Sequence, residues 1–191
     1  MAEYGLWKQT IADVIKTYAV KYGSEHGYFI LSLSDHEIRF VNGSVIYTAG
    51  LDDKERLEKI LGAEYAIIYL NECSQISYEA LNITRTRLAQ NIPSFVNKMF
   101  FDENPPGPGH WTHKMFIEKL DPITGAELKN KDIVGSMLMN PLDNMDNLSQ
   151  DYIDILDAMP PIHRRRFLLG EFVGLEGALW SYDMFNYLSD D

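Results

Sequence analysis

Residues 65–70 read YAIIYL, six residues with no charged or strongly polar position among them. A strand with one wet face alternates apolar and polar residues. An unbroken run of this length instead suits a strand covered on both faces, as in a parallel sheet. Parallel neighbours must be joined by crossovers of a dozen or more residues, usually helical. The chain downstream offers that alternation. Residues 76–90 read as helix or helical turn with Leu81, Arg85 and Leu88 on one side, and 96–101 (VNKMFF) as a further strand. In DENPPGPGHW, three prolines and two glycines force a loop. Residues 111–120 resume a helix, and 133–139 (IVGSMLM) read as a strand halted by Asn140-Pro141, with Met137 and Met139 in the core. Helices follow over 149–158 and 160–169, the second opening with Pro161 in its first turn. The fold class is therefore α/β with a mostly parallel sheet.

The N-terminal side reads differently. Residues 6–20 place Leu6, Trp7, Ile11, Val14, Ile15 and Tyr18 on roughly one helical face. After a loop marked by Gly23 and Gly27, residues 28–33 (YFILSL) form a strand. Two β-rich runs, 38–41 and 45–49, then flank Asn42-Gly43. Asn-Gly between such runs predicts a hairpin with a type I′ turn, in which both central residues take positive φ. Residues 52–61 form a short helix capped by Asp and ended by Gly62.

Net charge bounds the function. The chain carries 17 Lys+Arg against 28 Asp+Glu, a formal −11. Such a chain is repelled by phosphate backbones at long range, which argues against a stand-alone duplex-binding module. The one basic cluster, His163-Arg164-Arg165-Arg166, reads as a solvated face, and Arg85 and Arg87 as structural ion-pair formers. No apolar run reaches the length of a membrane span, and the first residues lack the pattern of a secretion signal. The lone Cys73 makes no internal disulfide and reads as a buried filler in a protein of a reducing cytoplasm. His110, Trp111 and His113 have no third ligand in sequence and read as packing, so no metal site is assigned.

In open α/β sheets functional groups gather just past the carboxyl ends of the strands. That rule puts Asn71-Glu72 beyond one strand and Asp102-Glu103-Asn104 beyond another, on the same rim. A glutamate there can orient and polarise a water for attack on a phosphoryl group, and a neighbouring amide can sense the phosphate. The plainer alternatives are a helix N-terminal acid for Glu72 and turn residues before Pro105 for Asp102 and Asn104.

At this point the sequence resembles the ATPase domain of the large terminase subunit of tailed bacteriophages. The resemblance runs in order through GLWKQTIADVI, FVNGSVIYTAGLDD, GAEYAIIYLNECSQIS, RTRLAQ, FFDENPPGPGHWTHKMF, MNPLDN and RRRFLLGEFVGLEGALW. It implies a partial P-loop NTPase (RecA-like) sheet, mostly parallel, with the hairpin near its N-terminal side. It implies Glu72 as the catalytic glutamate that activates the lytic water. Asn71 stands where a metal-associated acid commonly sits, a neutral departure from the pattern. The Asp102–Asn104 turn would be the coupling segment, with Asn104 as the phosphate sensor. Leu61 occupies the position where many relatives carry an arginine, with Arg56 the nearest upstream, so no arginine finger is transferred.

The chain contains no G-x-x-x-x-G-K-[ST] run to cradle phosphates. By the resemblance, residues 1–175 form the C-terminal portion of a terminase ATPase domain. Residues 176–191 form the start of a linker toward a nuclease domain. The expectation is an ATP hydrolase component inactive alone, with ATP and Mg²⁺ bound only in a complete assembly. Its implied partners are the P-loop and nuclease portions of terminase, the small terminase subunit, the portal protein and double-stranded DNA, in the cytoplasm of a bacterial host. The alternative is a degenerate or split fragment acting only as a structural or protein-interaction module. DNA-contacting residues are not legible. A parallel sheet lacking its P-loop strand is expected to expose an apolar edge or face.

Overall fold

The computed structural model describes residues 29–32, 34, 36–51 and 61–174. The expected helix at 6–20, the loop at Gly23 and Gly27, nearly all of the helix at 52–61, and the linker at 176–191 lie outside the described residues. The chain divides into two compact units, residues 1–60 and 61–191.

The first unit holds a three-stranded antiparallel sheet of β1 (Phe29–Ser32), β2 (Glu37–Phe40) and β3 (Val45–Tyr47), in that order. β1 pairs Phe29 with Phe40, and their rings pack 6.0 Å apart. The hairpin between β2 and β3 is present, but its turn differs from the one expected. Phe40 N–H donates to Ser44 O (2.9 Å) and Gly43 N–H to Phe40 O (3.0 Å), so three residues, Val41–Gly43, lie in the loop. Gly43 alone of these takes a positive φ, +85°. This is a type I turn followed by a left-handed bulge residue. Asn42 keeps a negative φ and uses its Oδ1 to accept the Ser44 N–H (3.0 Å), a local bond that favours the longer loop.

The second unit is mixed α/β. β4 (Ile67–Leu70) and β5 (Lys98–Phe101) pair in parallel, with Ile67 opposite Lys98 and Leu70 opposite Phe101. The crossover contains α1 (Tyr78–Arg85). Ser77 caps it by accepting the Ala80 N–H (3.1 Å), and Glu79 and Arg85 sit at the ends that suit their charges. Its buried face is Ala80, Leu81 and Thr84, whereas Arg85 is exposed. The turn after β4 buries Cys73 and leads into that face. Trp111 is buried in this core. Its indole N–H donates to Ile76 O (2.8 Å), and its ring meets Phe101 edge-on at 6.4 Å. The loop at 102–110 forms as its prolines dictate, and the helix after it is π-type over His113–Glu118. Lys119 ends that helix at φ 61°, and its Nζ donates to Phe116 O (2.7 Å) and Val134 O (2.8 Å).

Two further expectations are corrected. β4 is not covered on both faces: Leu70 is 5% exposed, but Ile67 and Tyr69 are 52% and 58% exposed. With Phe100 also exposed, one face of the parallel pair is an open apolar surface while the other holds the core. The run at 133–139 is not a strand. Lys131–Ile133 is a 3₁₀ turn, residues 134–140 form neither helix nor ladder, and Met137 and Met139 are exposed rather than core. Gly135 interrupts the run, and β propensity without a partner ladder does not make a strand. Leu138 lies against Gly170, whose φ is +66°; a Cβ there would come 2.4 Å from Leu138 Cδ1. The last helices are α2 (Gln150–Asp157), capped by Ser149, and α3 (Pro161–Phe167), with proline in its first turn. Ile153, Leu156, Leu168 and Val173 are buried around them.

Candidate functional site: the carboxylate rim

Parallel pairing brings the two strand ends side by side. Asp102 continues the ladder past β5 by donating its N–H to Leu70 O (3.1 Å), and its carbonyl accepts the Cys73 N–H (2.8 Å). Its side chain then takes up the next two donors. Oδ1 accepts the Glu72 N–H at 2.6 Å, and Oδ2 accepts the Tyr69 hydroxyl at 2.7 Å. Asp102 thus holds the chain on both sides of the β4 end.

Glu72 is held in a left-handed conformation, φ 51°, ψ 48°. For a residue with a Cβ this costs about 1–2 kcal/mol. The charge-assisted bond from its N–H to Asp102 offsets the cost, and its carbonyl accepts the Gln75 N–H (2.9 Å) to start the 3₁₀ turn Cys73–Gln75. The half-exposed Glu72 carboxylate meets Asn104, whose Nδ2 lies 3.5 Å from Oε1. So the structure brings together three of the four residues singled out from sequence: Glu72, Asp102 and Asn104. Asn71 stands beside them, exposed at the end of β4.

Beneath this rim lies a second carboxylate. Glu103 Oε2 accepts the Cys73 thiol (3.5 Å). Burial raises the Glu103 carboxyl above the usual glutamate range, outweighing hydrogen bonds from Thr112 and Cys73, and the nearby Glu72 charge adds to the rise. Burial, followed by the charge of Glu103, pushes the Cys73 thiol far above its ordinary value. The Tyr69 phenol is raised to about 12, first by its bond to Asp102, then by burial and the charges of Asp102 and Glu72. The site is an acidic rim of three carboxylates: Asp102 exposed, Glu72 half-exposed beside it, and Glu103 partly withdrawn.

The remaining candidates have other partners. His110 Nδ1 is 2.9 Å from Thr112 Oγ1, and burial lowers its pKa below the ordinary imidazole value. His113 Nδ1 is 3.3 Å from Glu118 Oε1, and its ring packs on Phe172. Arg87 donates to Leu61 O (3.1 Å). Arg164 pairs with Asp157 (2.7 Å) and Arg165 with Glu171 (2.6 Å). Arg166 lies over the Phe167 ring. Among the described residues no group of three His, Cys, Asp or Glu side chains could hold a metal ion. No described helix is long and apolar enough to cross a membrane.

Sequence reasoning placed Glu103 on the rim without giving it a role, and it missed Tyr69. The signal for Tyr69 is the register: Tyr69 faces Phe100, and Asp102 follows Phe100 by two residues, which puts phenol and carboxylate on one face. Only the pairing reveals that relation.

Residues 5–187 match the family model described as "Terminase large subunit, T4likevirus-type, N-terminal". The chain belongs to this family. The matched span contains every residue of the rim, so the carboxylate cluster is part of the region shared with terminase large subunits. Solved structures of the large terminase from a thermophilic bacteriophage have the same fold. One crystal form matches at 20% identity with a TM-score of 0.64, covering 89% of this chain and 39% of that one. Another, in complex with ADP, matches at 19% identity with a TM-score of 0.65 and the same coverage. This chain therefore spans about two fifths of the length of those terminase chains. No curated protein matches it in sequence.

Proposed function

We propose that this chain supplies the water-activating carboxylate and the coupling turn of a DNA-packaging motor ATPase, as part of a RecA-like P-loop sheet completed by other terminase segments. The observation that carries the reading is the placement of Glu72. Its carboxylate stands past the end of a parallel strand, fixed through its own backbone by Asp102 and facing the Asn104 amide at 3.5 Å. In that position Glu72 Oε accepts a proton from a water as the water attacks a terminal phosphoryl group. Asn104 donates to phosphate oxygen and relays its loss to the loop that follows. Asn71 is neutral, so a bound metal would draw no charge from it and would depend on acidic residues of other terminase segments.

The described rim does not by itself make a triphosphate site. The sequence has no phosphate-cradling loop with its lysine, and the described rim carries three carboxylates, Glu72, Asp102 and Glu103, that repel phosphate. ATP and Mg²⁺ are therefore bound by the assembly, with the P-loop and nuclease portions of terminase as first partners. The small terminase subunit, the portal protein and double-stranded DNA complete the machine. A second reading, a module that only docks other packaging components, is favoured by the open apolar face of Ile67, Tyr69 and Phe100.

Mixing the chain with a P-loop-bearing terminase segment and measuring ATP turnover separates the two. The catalytic reading expects no turnover from the chain alone and turnover from the mixture. Complex formation with no turnover under any condition supports the docking module.

A further inference from the structure

Tyr69 has no role in the function described so far, yet its hydroxyl links the open sheet face to the rim. It sits opposite Phe100 in the register, and Asp102 lies two residues beyond Phe100 on the same side. From a position 58% exposed, its hydroxyl reaches Asp102 Oδ2 at 2.7 Å. The two oxygens of Asp102 are thereby divided: one holds the phenol, the other holds the Glu72 N–H at 2.6 Å. A carboxylate at a strand end can rotate about its terminal torsion. An anchor on one oxygen restricts that rotation and keeps the other aimed at the amide. A burial requirement does not explain the bond, because an exposed tyrosine satisfies its hydroxyl with water at little cost.

We propose that Tyr69 is a positioning residue, whose phenol fixes the Asp102 carboxylate so that it clamps the Glu72 amide and keeps Glu72 left-handed beside Asn104. The functional importance of that clamp rests on Glu72 being the water-activating group; the clamp itself does not. Tyr69 also stands on the open apolar face. A partner segment packed on that face would therefore touch the same side chain that orients the rim.

The test reads the clamp directly. The full chain is labelled with ¹⁵N-glutamate, and the Glu72 amide is assigned as the resonance missing from Glu72→Gln. The clamp predicts a downfield amide proton that exchanges slowly. In Tyr69→Phe, which keeps the ring, the proton moves upfield and exchanges about tenfold faster, as expected for loss of one bond to a charged group. Asp102→Asn moves it further. Trp111 fluorescence in a Trp7→Phe, Trp180→Phe background verifies that each variant is folded. An unchanged Glu72 amide in Tyr69→Phe, with a clear change in Asp102→Asn, overturns the role of Tyr69. In a reconstituted ATPase, Tyr69→Phe lowers kcat with KM unchanged. If the wild-type mixture shows no turnover, the catalytic reading of Glu72 fails, and the amide result alone decides the role of Tyr69.

Discussion

Replacing Glu72 by glycine is expected to stabilise the protein relative to replacing it by alanine. Ordinarily glycine is the poorer choice, because its unfolded chain has more freedom to lose, by about 0.5–1 kcal/mol. At Glu72 the backbone reverses the order. With φ 51° and ψ 48°, any side chain with a Cβ carries a left-handed penalty of about 1–2 kcal/mol, and glycine carries none. Asn71 is the natural control, one residue away with negative φ. The stability difference between Gly and Ala at 72, minus the same difference at 71, cancels the unfolded-state contribution and removes each side-chain charge equally from both variants. What remains is the conformational penalty at Glu72, about 1–2 kcal/mol in favour of glycine. Urea unfolding measures it. In a Trp7→Phe, Trp180→Phe background, Trp111 is the remaining tryptophan and reports on the core beneath the rim. A double difference at zero, or one favouring alanine, would refute the argument that Asp102 holds Glu72 in a strained conformation.

Three further outcomes follow from the packing. The raised Glu103 carboxyl means the folded state binds its proton more tightly than the unfolded state, so its contribution to stability is lost as pH rises above the ordinary glutamate range. Glu103→Gln should therefore match wild type in acid and gain on it toward neutral pH in urea melts; parallel pH profiles would contradict this. Cys73 is 1% exposed and its thiol is pushed up by burial, so an aromatic disulfide reagent at pH 8 should react about a hundredfold or more slower in buffer than in urea. Leu81, fully buried on α1, should cost about 2–5 kcal/mol when cut to alanine, measured by the same unfolding transition.

Much of this fold could be read along the chain, because local chemistry wrote it there. Ser77 and Ser149 cap their helices, Pro161 opens the last one, and the prolines after Asn104 forbid regular structure. The apolar runs at β4 and β5 marked two strands, and a helix between them made the pair parallel. What stayed hidden depends on pairing. The hairpin was legible from Asn42-Gly43, but not that Asn42 would keep negative φ and leave Gly43 alone to turn left-handed. The 133–139 run had the composition of a strand and no partner to make one. At the site, Glu72 and Asn104 were legible from strand-end logic and from resemblance. Tyr69 was not, since only the register sets it across from Phe100 and within reach of Asp102.

The account turns on whether the carboxylate of Glu72 does chemistry once the phosphate-binding half is supplied. ATP turnover by the reconstituted assembly, compared between wild type and Glu72→Gln with nucleotide affinity measured in parallel, addresses this most directly. Loss of about a hundredfold or more in kcat with unchanged affinity is the predicted result. Turnover by the isolated chain, or a Glu72→Gln assembly that hydrolyses ATP at the wild-type rate, would contradict it.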